Sequence, residues 1–457
     1  MAYSYRLGSQ PVISLSSVPI TEPNDWTRPS DWLPVPVTGS QEFAGLMAVF
    51  TQSGNFFALS ATTATGSNTG SYIVDWGNGN SVVTNSAAIV YYSHSYDNLS
   101  SSTYCSRGYR QAWVRVTPSG SANLTNVNLQ IQSNQIGYNQ TGSTNWLDLI
   151  VGTPNLTTFL LGGTSVIHHM VERVTINSIS SSLTDFGGKC RGFYRLRQFD
   201  VNANISNVTT FSSLFYNCMS LRKVPDLNTS KGTLFDGMFS NCYSLTNAPN
   251  LNMQSASNVS SIFYGNNSLT YVPLYNTAKV TNFTDMFRNS PAIVEIPPFN
   301  TSSGSIMGGM FSSCNSLKFI PQLDTSKATY LSELFASCYS LEAIPLLNCA
   351  KSTAFDTFAA NCQALKTVEL MNVTASTDFT NMFQNCTSLI KGALSGSSRT
   401  ISYASCSLGR NEILDVFNNL GSGSFGQSIT MSGNWGVVDI VPADTASIQA
   451  KGWKVML

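Results

Sequence analysis

Residues 215–225 read FYNCMSLRKVP, and 24 positions later residues 239–249 read FSNCYSLTNAP. The same step continues to Leu389 without insertion or deletion. A cysteine column holds Cys218, Cys242, Asn266, Ser290, Cys314, Cys338, Cys362 and Cys386, and a leucine column runs from Leu221 to Leu389. A phenylalanine column holds Phe215, Phe239, Phe263, Phe287, Phe311, Phe335, Ala359 and Phe383, and a proline column holds Pro225, Pro249, Pro273, Pro297, Pro321 and Pro345. A 24-residue unit is too small to bury its own apolar face, so this register predicts a solenoid of stacked coils.

Each unit begins with a short predicted strand. Leu221 and Val224 are expected to point inward on either side of two outward positions. Pro225 ends the strand because it has no N–H group to donate to a neighbouring strand. Leu234 and Met238 are four residues apart, which predicts a brief helix packed over the strand. These units resemble BspA-type leucine-rich repeats, whose pattern is close to Phe-x-x-Cys-x-x-Leu-x-x-Ile-x-Pro. The resemblance implies a leucine-rich-repeat solenoid of short parallel strands with short helices over residues 194–391.

The cysteine spacing argues against metal and disulfide chemistry. Zinc sites use close pairs such as Cys-x2-Cys, whereas these residues recur once per coil at one structural position. Asn266 and Ser290 share the column, which indicates a place for a small side chain that makes a weak hydrogen bond. We therefore expect buried, reduced thiols, no metal and no cofactor. His168 and His169, without a third ligand nearby, are expected to be an exposed pair.

The amino-terminal arm, residues 1–39, is rich in proline and is expected to be extended. Two interpretations remain open for it. It could dock on a neighbouring subunit or an assembly partner, or it could fold back over its own domain. The candidate anchoring residues in the arm are Trp26, Arg28 and Trp32.

Over residues 40–133 apolar and polar residues alternate, and turn signals are frequent. This pattern predicts a β-sandwich. Here the chain resembles a polycystic-kidney-disease (PKD) type, immunoglobulin-like domain, which carries Asp-Trp-Gly-Asp-Gly and a later His-x-Tyr. The matching residues are Asp75, Trp76, Gly77, Gly79, His94 and Tyr96, with Asn78 in place of the second Asp. The resemblance implies that Trp76 lies in the core and that Gly77 and Gly79 adopt positive φ. We expect His94 to be a structural, hydrogen-bonding residue.

Three further segments complete the predicted β-rich, multidomain chain. Residues 134–193 are expected to be a linker followed by irregular first coils, and strands are predicted at 156–161, 171–176 and 196–201. Residues 392–457 are expected to cap the open end of the stack. The cap should contain a helix from Glu412 to Leu420, a strand from Ser428, and a second helix and strand after Pro442.

Composition restricts the class of function. Charged residues make up 11% of the chain, and 24 basic residues balance 24 acidic ones, so no overall attraction to nucleic acid or anionic lipid is expected. The sequence contains no run of 18 apolar residues, so it predicts no membrane span. Residues 1–23 lack the features of a secretory signal. The sequence holds none of the common catalytic motifs, and we do not expect an enzyme.

The outward strand positions vary from unit to unit, whereas the columns do not. Such variation is typical of a recognition surface on a rigid scaffold, or of surface positions that nothing constrains; both interpretations remain open. The candidate ligand-binding residues are Arg222, Tyr243, Tyr271, Lys318, Phe319 and Tyr339.

The combination of arm, PKD-like domain, BspA-like repeats and cap resembles fibre or appendage proteins of tailed bacteriophages, notably in the runs at 28–33 and 450–455. The resemblance implies a virion protein assembled in the host cytoplasm, with the arm bound to other virion proteins. The solenoid would then bind a host surface glycan or protein, and a homo-oligomer is expected. A capsid decoration or cement protein and a bacterial cell-surface adhesin remain as alternatives.

Overall fold

The structure, a computed structural model, describes residues 26–51, 55–66, 68–131, 145–423 and 426–457. Residues 31–457 group into one unit and residues 1–30 into another. Most of the predicted arm, residues 1–25, and nearly all of the polar stretch 133–145 lie outside the described residues.

The amino-terminal half begins with antiparallel strands in two sheets. The strands are β1 (Glu42–Val49), β2 (Phe56–Thr65), β3 (Asn68–Thr69), β4 (Ser71–Asp75), β5 (Ser81–Asn85), β6 (Ile89–Ser93), β7 (Tyr104–Cys105), β8 (Tyr109–Pro118) and β9 (Asn123–Asn128). One sheet contains β3, β2 and β6 in that order, with β9 also paired to β2. The other contains β1, β8, β4 and β5 in that order, with β7 also paired to β8. Phe43, Phe57 and Trp76 are buried in one hydrophobic cluster, so the two sheets share a core.

Three more strands join this second sheet to the solenoid. They are β10 (Trp146–Gly152), β11 (Arg173–Ser178) and β12 (Gln198–Val201). β10 pairs antiparallel with β1 and parallel with β11, and β11 pairs parallel with β12. The strands predicted near 171–176 and 196–201 are present, but 156–161 forms only an isolated bridge through Leu160. The prediction also missed β10, whose unbroken burial on both faces gives no alternation to detect.

A buried ion pair locks β10 to β11 at this junction. Arg173 donates from Nε to Asp148 Oδ1 at 2.9 Å and from Nη2 to Oδ2 at 2.7 Å. The side chain of Asp148 is fully buried, and the bidentate contact with Arg173 helps to offset the cost of burying it. The first coil of the solenoid is therefore an integral part of the amino-terminal sheet.

The regular coils contain turns where the sequence predicted helices. Between residues 194 and 391, all of which the structure describes, no helix is present. Each coil instead holds two residues with left-handed φ four positions apart, such as Ser213 at 57° and Asn217 at 62°. A helix would keep its N–H groups within the coil. Here alternate N–H groups point to the next coil, as in Ser213 to the Asp236 carbonyl at 2.8 Å. The prediction of short helices was wrong.

On the opposite side of each coil the chain forms very short parallel strands. The paired segments are β13 (Ala343–Ile344), β14 (Thr367–Val368), β15 (Met371–Asn372) and β16 (Leu394–Ser395). Elsewhere on this side the pairing is reduced to single bridges such as that between Asn247 and Tyr271. Pro249, Pro273 and Pro345 follow three of these paired segments closely and end the pairing there because proline lacks an N–H donor.

The four sequence columns differ in burial. The phenylalanine, leucine and cysteine columns lie in the core, whereas the prolines range from buried to exposed. From Phe215 to Phe335, successive ring centroids of the phenylalanine column are 5.4–5.9 Å apart. The exception at Ala359 is compensated locally, because the ring of Phe358 packs 5.4 Å from that of Phe335. The aromatic contacts thereby continue past Ala359 with an edge-to-face pair in place of a parallel stack.

All ten cysteines are free and buried. Along the column each thiol points to a backbone carbonyl of the preceding coil, as in Cys338 to Phe311 at 3.0 Å and Cys362 to Phe335 at 3.0 Å. Cys406 continues the column after a shorter step, with its thiol 3.9 Å from the Phe383 carbonyl. Burial raises the pKa of Cys314 to about 12, which keeps its thiol protonated.

The carboxy-terminal segment keeps the coil topology but contains true helices. Its elements are β17 (Ile401–Ser402), α1 (Arg410–Asn419), β18 (Ser428–Thr430), α2 (Pro442–Ala450) and β19 (Lys454–Met456). The three strands are parallel in the order β17, β18 and β19. Phe417, Ile448 and Trp453 join the same hydrophobic cluster as the repeats. One core therefore runs from β1 to the end of the stack.

The histidines differ from expectation. His168 is buried, and its Nε2 lies 3.1 Å from the Leu129 carbonyl oxygen. His169 is exposed, so only one member of the expected exposed pair lies on the surface. His94 is buried against Tyr92, with ring centroids 4.7 Å apart. Neither of its ring nitrogens has a hydrogen-bond partner among the described residues. The expected hydrogen-bonding role of His94 was wrong; it packs as an aromatic ring.

Candidate binding surface

The outward strand positions form a continuous surface, which we call the outer wall. It comprises the residue pairs 222–223, 246–247, 270–271, 294–295, 318–319, 342–343, 366–367 and 390–391. Backbone hydrogen bonds connect neighbouring coils along it, as in Lys318 N–H to the Val294 carbonyl at 3.3 Å and Glu342 N–H to Lys318 at 3.1 Å. Parallel strands paired in this way are about 4.8 Å apart, so the wall displays side chains at that interval.

The structure places the six predicted ligand-binding residues on the surface but not in one patch. Lys318 and Phe319 are adjacent, and Phe319 is 61% exposed. Tyr271 lies two coils away and Arg222 four coils away from Lys318, which corresponds to about 10 and 19 Å. Tyr243 and Tyr339 are also exposed, but they lie at the corner between the turns and the wall. A single small ligand could not contact all six residues.

Sequence analysis missed a second set of exposed apolar residues near the wall. Leu274, Leu346 and Leu370 are 63%, 57% and 44% exposed, and each follows the proline position of its coil. The same position holds Asp226, Asn250 and Gln322 in other coils. A leucine at a position that is polar in three other coils was the available signal. Val294 and Ile390 add to the exposed apolar area on the wall itself.

Two lysines of the wall form exposed ion pairs with glutamates of the preceding coil. Lys366 Nζ lies 2.9 Å from Glu342 Oε2, and Lys391 Nζ lies 3.2 Å from Glu369 Oε2. The hydrogen bond from Lys366, followed by its charge, lowers the pKa of Glu342 below the ordinary value. These exposed pairs add little stability.

An ion pair also connects two coils on their turn side. Arg288 binds Asp285 at 3.3 Å and reaches Glu333 at 2.8 Å, two coils farther along. Gly309 lies between these two acids with φ of +64°, and a Cβ there would collide with the Asp285 carboxylate. The equivalent positions Ser213 and Glu333 adopt a similar φ without glycine, so it is the close approach of the Asp285 carboxylate that favours glycine at 309.

The arm residues divide into two groups. Trp32 is only 3% exposed; its Nε1 donates to the Tyr109 hydroxyl at 3.0 Å, and the Arg107 guanidinium lies 5.7 Å from its ring. Trp32 therefore packs on the domain of its own chain and is not available as an anchor. Trp26 and Arg28 are half-buried.

An open cleft of about 380 Å³ lies on the middle coils. Its polar lining includes Asn300, Gln322, Asp324 and Asn348. The Ser326 side chain and then the Ser326 N–H, which donates to the Asp324 carboxylate at 2.9 Å, lower the pKa of Asp324. The cleft offers uncharged amide groups and one carboxylate already used in a turn. Across the described ranges, no group of three or more His, Cys, Asp or Glu side chains is arranged to hold a metal ion.

A family model described as "Mycoplasma protein of unknown function, DUF285" matches residues 191–296, 267–367 and 292–395. The three overlapping matches coincide with the stacked coils. The repeats form a solenoid of stacked coils. Among solved structures, this solenoid chain is similar to a leucine-rich repeat protein from Eubacterium ventriosum, with 16% identity and a TM-score of 0.27. That match covers 58% of this chain and 76% of the other. A search of curated proteins gave no match.

No helix in the part of the chain that the structure describes is long and apolar enough to cross a membrane.

Proposed function

We propose that this chain is a structural protein of a bacteriophage particle, a tail fibre or other appendage that binds a host surface glycan or protein through its repeats. The supporting observation is the contrast between the two sides of each coil. The buried columns repeat with little change, whereas the outer wall changes from coil to coil and exposes aromatic rings at Tyr271 and Phe319. Exposed rings on a rigid backbone favour binding because little conformational entropy is lost.

Rigidity of the support adds to this proposal. One hydrophobic cluster extends from the amino-terminal sheets through the coils to the cap. β10 belongs to both the amino-terminal sheet and the first coil. A load applied to the wall would therefore be transmitted to the amino-terminal sheets through packed structure.

The PKD-like assignment of the amino-terminal strands belongs to the same proposal. Trp76 is 2% exposed, and Gly77 and Gly79 have φ of +74° and +85°. The Asp75 carboxylate accepts the Gly77 N–H at 2.9 Å. These features are those that the resemblance implied for the hairpin. The domain would act as a spacer, and Trp26 and Arg28 stay as candidates for attachment to other virion proteins.

Immunogold labelling distinguishes this proposal from its alternatives. Antibodies to the purified protein are applied to particles released by the cells that produce it and to the cells themselves. Label at the tail supports an appendage in the virion. Label distributed over the head would instead support a decoration or cement protein, and label on the cell surface without particles would support an adhesin.

A cell-binding assay tests the surface. Fluorescent protein is incubated with host cells, and the variants Tyr243→Ala and Arg222→Ala are expected to reduce the bound fraction several-fold. Trp435→Ala is the matched control, because Trp435 is 78% exposed but lies in the cap. Equal binding by all three variants would contradict the proposed location of the ligand surface.

A further inference from the structure

The first coils of the solenoid concentrate positive charge. Residues 189–223 contain six basic side chains and one acidic side chain, whereas the whole chain contains 24 of each. The Lys189 amine lies 5.3 Å from the centroid of the Phe159 ring, and its charge is used within the fold. The Arg191 guanidinium lies 4.3 Å from the centroid of the Tyr216 ring. The other four basic side chains are exposed; they are Arg195, Arg197, Arg222 and Lys223.

Three of these exposed residues lie together beside the first pair of the outer wall, and we call Arg195, Arg197 and Arg222 the arginine patch. The Ser220 N–H donates to the Tyr194 carbonyl oxygen at 3.1 Å and fixes the register of the two coils. In this register Arg197 and Arg222 occupy equivalent positions on neighbouring coils, about 4.8 Å apart. Arg195 lies on the same coil as Arg197, about 7 Å away along the strand. The three guanidinium groups therefore share one small area of the surface.

No ion pair neutralises the arginine patch within the residues that the structure describes. Glu172, one coil before Arg197, pairs with Arg107 instead. The Asp200 carboxylate accepts a hydrogen bond from the Gln198 amide at 2.8 Å. Two lysines farther along the wall differ from the patch, since each of them pairs with a glutamate. The patch is therefore a cluster of like charges whose mutual repulsion a bound anion would relieve.

The side chains of the patch and one neighbouring ring define the chemistry of a fitting ligand. Each guanidinium presents two parallel N–H donors, which match the two oxygens of a carboxylate. Tyr243 lies at the corner of the coil after Arg222 and is 38% exposed. Its ring offers an apolar face for packing and a hydroxyl for hydrogen bonding. A sugar that carries a carboxylate has both an apolar ring face and an anion.

The size of the patch distinguishes between classes of anionic partner. Binding to nucleic acid through the phosphate backbone depends on many phosphate contacts along a basic stripe. The patch covers only two coils, about 5 Å along the solenoid, and the wall already carries the acidic Glu295 three coils after Arg222. The chain as a whole has no net charge that would attract a long polyanion. One or two acidic sugar units fit this area better than a nucleic-acid strand.

We propose that the arginine patch binds the carboxylate groups of an acidic glycan and that Tyr243 packs against an adjacent sugar ring. This inference rests on the proposed function and deepens it by naming the class of host ligand. It adds Arg195 and Arg197, which the sequence analysis did not select, to Arg222 and Tyr243. The exposed residues of the middle coils are not needed for this contact.

Fluorescence anisotropy with defined oligosaccharides tests the patch. The probe is a fluorescein-labelled oligogalacturonate, which carries one carboxylate on each sugar, and a labelled maltooligosaccharide of the same length is the neutral control. The full-length protein is expected to bind the oligogalacturonate and not the maltooligosaccharide. Binding should weaken as the salt concentration rises from about 50 to about 200 mM, because salt screens the exposed guanidinium groups.

Charge variants locate the contact. Arg197→Glu and Arg222→Glu should each weaken binding about tenfold, because each replaces an attractive charge with a repulsive one. Arg399→Glu is the matched control: Arg399 is exposed but lies in the cap, so the same change in net charge should alter the affinity by less than about twofold. Arg197→Lys keeps the charge without the planar fork, so its affinity should lie between those of the parent and Arg197→Glu.

Three results would overturn this inference. The first is no binding of the oligogalacturonate at low salt, and the second is equal weakening by Arg399→Glu. The third is tighter binding of a labelled oligothymidylate than of the oligogalacturonate, which would assign the patch to nucleic acid. Label at the tail in the immunogold experiment together with any of these results would leave the proposed function standing. Binding that depends on the arginines, together with label on the cell surface without particles, would overturn the appendage and leave the glycan site.

Discussion

The hydroxyl of Ser290 donates a 2.8 Å hydrogen bond to the carbonyl oxygen of Phe263 in the preceding coil. Cys314 places its thiol 3.2 Å from the carbonyl of Phe287, the equivalent residue one coil later. The column therefore selects a small donor, and its cysteines serve as weak donors and small apolar groups.

A conservative replacement tests this role of the thiols. We expect Cys338→Ser to keep the hydrogen bond to the Phe311 carbonyl oxygen and to change the unfolding free energy by less than about 1 kcal/mol. Cys338→Ala should cost about 1–2 kcal/mol, because it removes the donor and leaves space in a close-packed core. Urea unfolding followed by tryptophan fluorescence measures both. A larger loss in the serine variant than in the alanine variant would contradict the hydrogen-bonding role.

Asn266 occupies the same column and does not fit it. Its side chain is fully buried, and neither its oxygen nor its nitrogen has a hydrogen-bond partner in the described part of the chain. We expect Asn266→Cys to raise the unfolding free energy by about 1–3 kcal/mol, since it removes two unpaired polar atoms.

The reverse replacement in the neighbouring coil, Cys242→Asn, is the matched control and should destabilise the protein. The stability of both variants is compared from the urea concentration at which half of the protein is unfolded. An Asn266→Cys variant less stable than the parent would show that the amide makes a contact absent from this account.

Some of these relationships were accessible from the sequence and others were not. The 24-residue register predicted the solenoid and the buried columns, because periodic burial leaves a periodic sequence. The turns between strands were predicted as helix from the four-residue spacing of Leu234 and Met238, but Leu234 is exposed and only Met238 is buried. The residues Ser213 and Asn217 held the better signal, because Asn, Gly, Asp and Ser at two positions four apart are typical of left-handed turns.

The candidate surface was only partly predictable for a related reason. Tyr271 and Phe319 were identified because aromatic residues at outward strand positions are conspicuous. Leu346 was missed because its exposure depends on the path that the chain takes after Pro345, and one sequence does not give that path. The buried position of Trp32 likewise depends on Tyr109, which is distant in sequence.

Gly309 should be less replaceable than another glycine with the same backbone conformation. Gly120 also has φ of +64° but has nothing near its potential Cβ. Gly120→Ala should therefore cost only the conformational penalty, about 1 kcal/mol. Gly309→Ala should cost distinctly more, because the methyl group displaces Asp285 and the ion pair that Arg288 makes across the coil. Thermal unfolding of the two variants compares them, and equal losses would contradict the constraint on Gly309.

His94 should make stability sensitive to mild acid. Burial lowers its pKa from 6.5 to about 4, so the unfolded chain binds a proton more tightly than the folded one. Stability is complete above pH 6.5 and falls as the pH falls toward 4, by at most about 3 kcal/mol from this residue.

The variant His94→Phe keeps a ring in the aromatic cluster and removes the titrating group. The loss of stability between pH 7 and pH 4.5, measured by urea unfolding, should be smaller in the variant than in the parent. Identical losses would show that His94 does not titrate as its burial requires.

The central claim is that successive coils share one interior, and thiol accessibility tests it most directly. The native protein is exposed to a membrane-impermeant maleimide, and the labelled cysteines are counted by intact mass and located by peptide mapping. Because all ten thiols are buried, the account predicts no labelling in the native state and ten labels after denaturation. Rapid labelling of several cysteines between Cys218 and Cys386 in the native protein would contradict it.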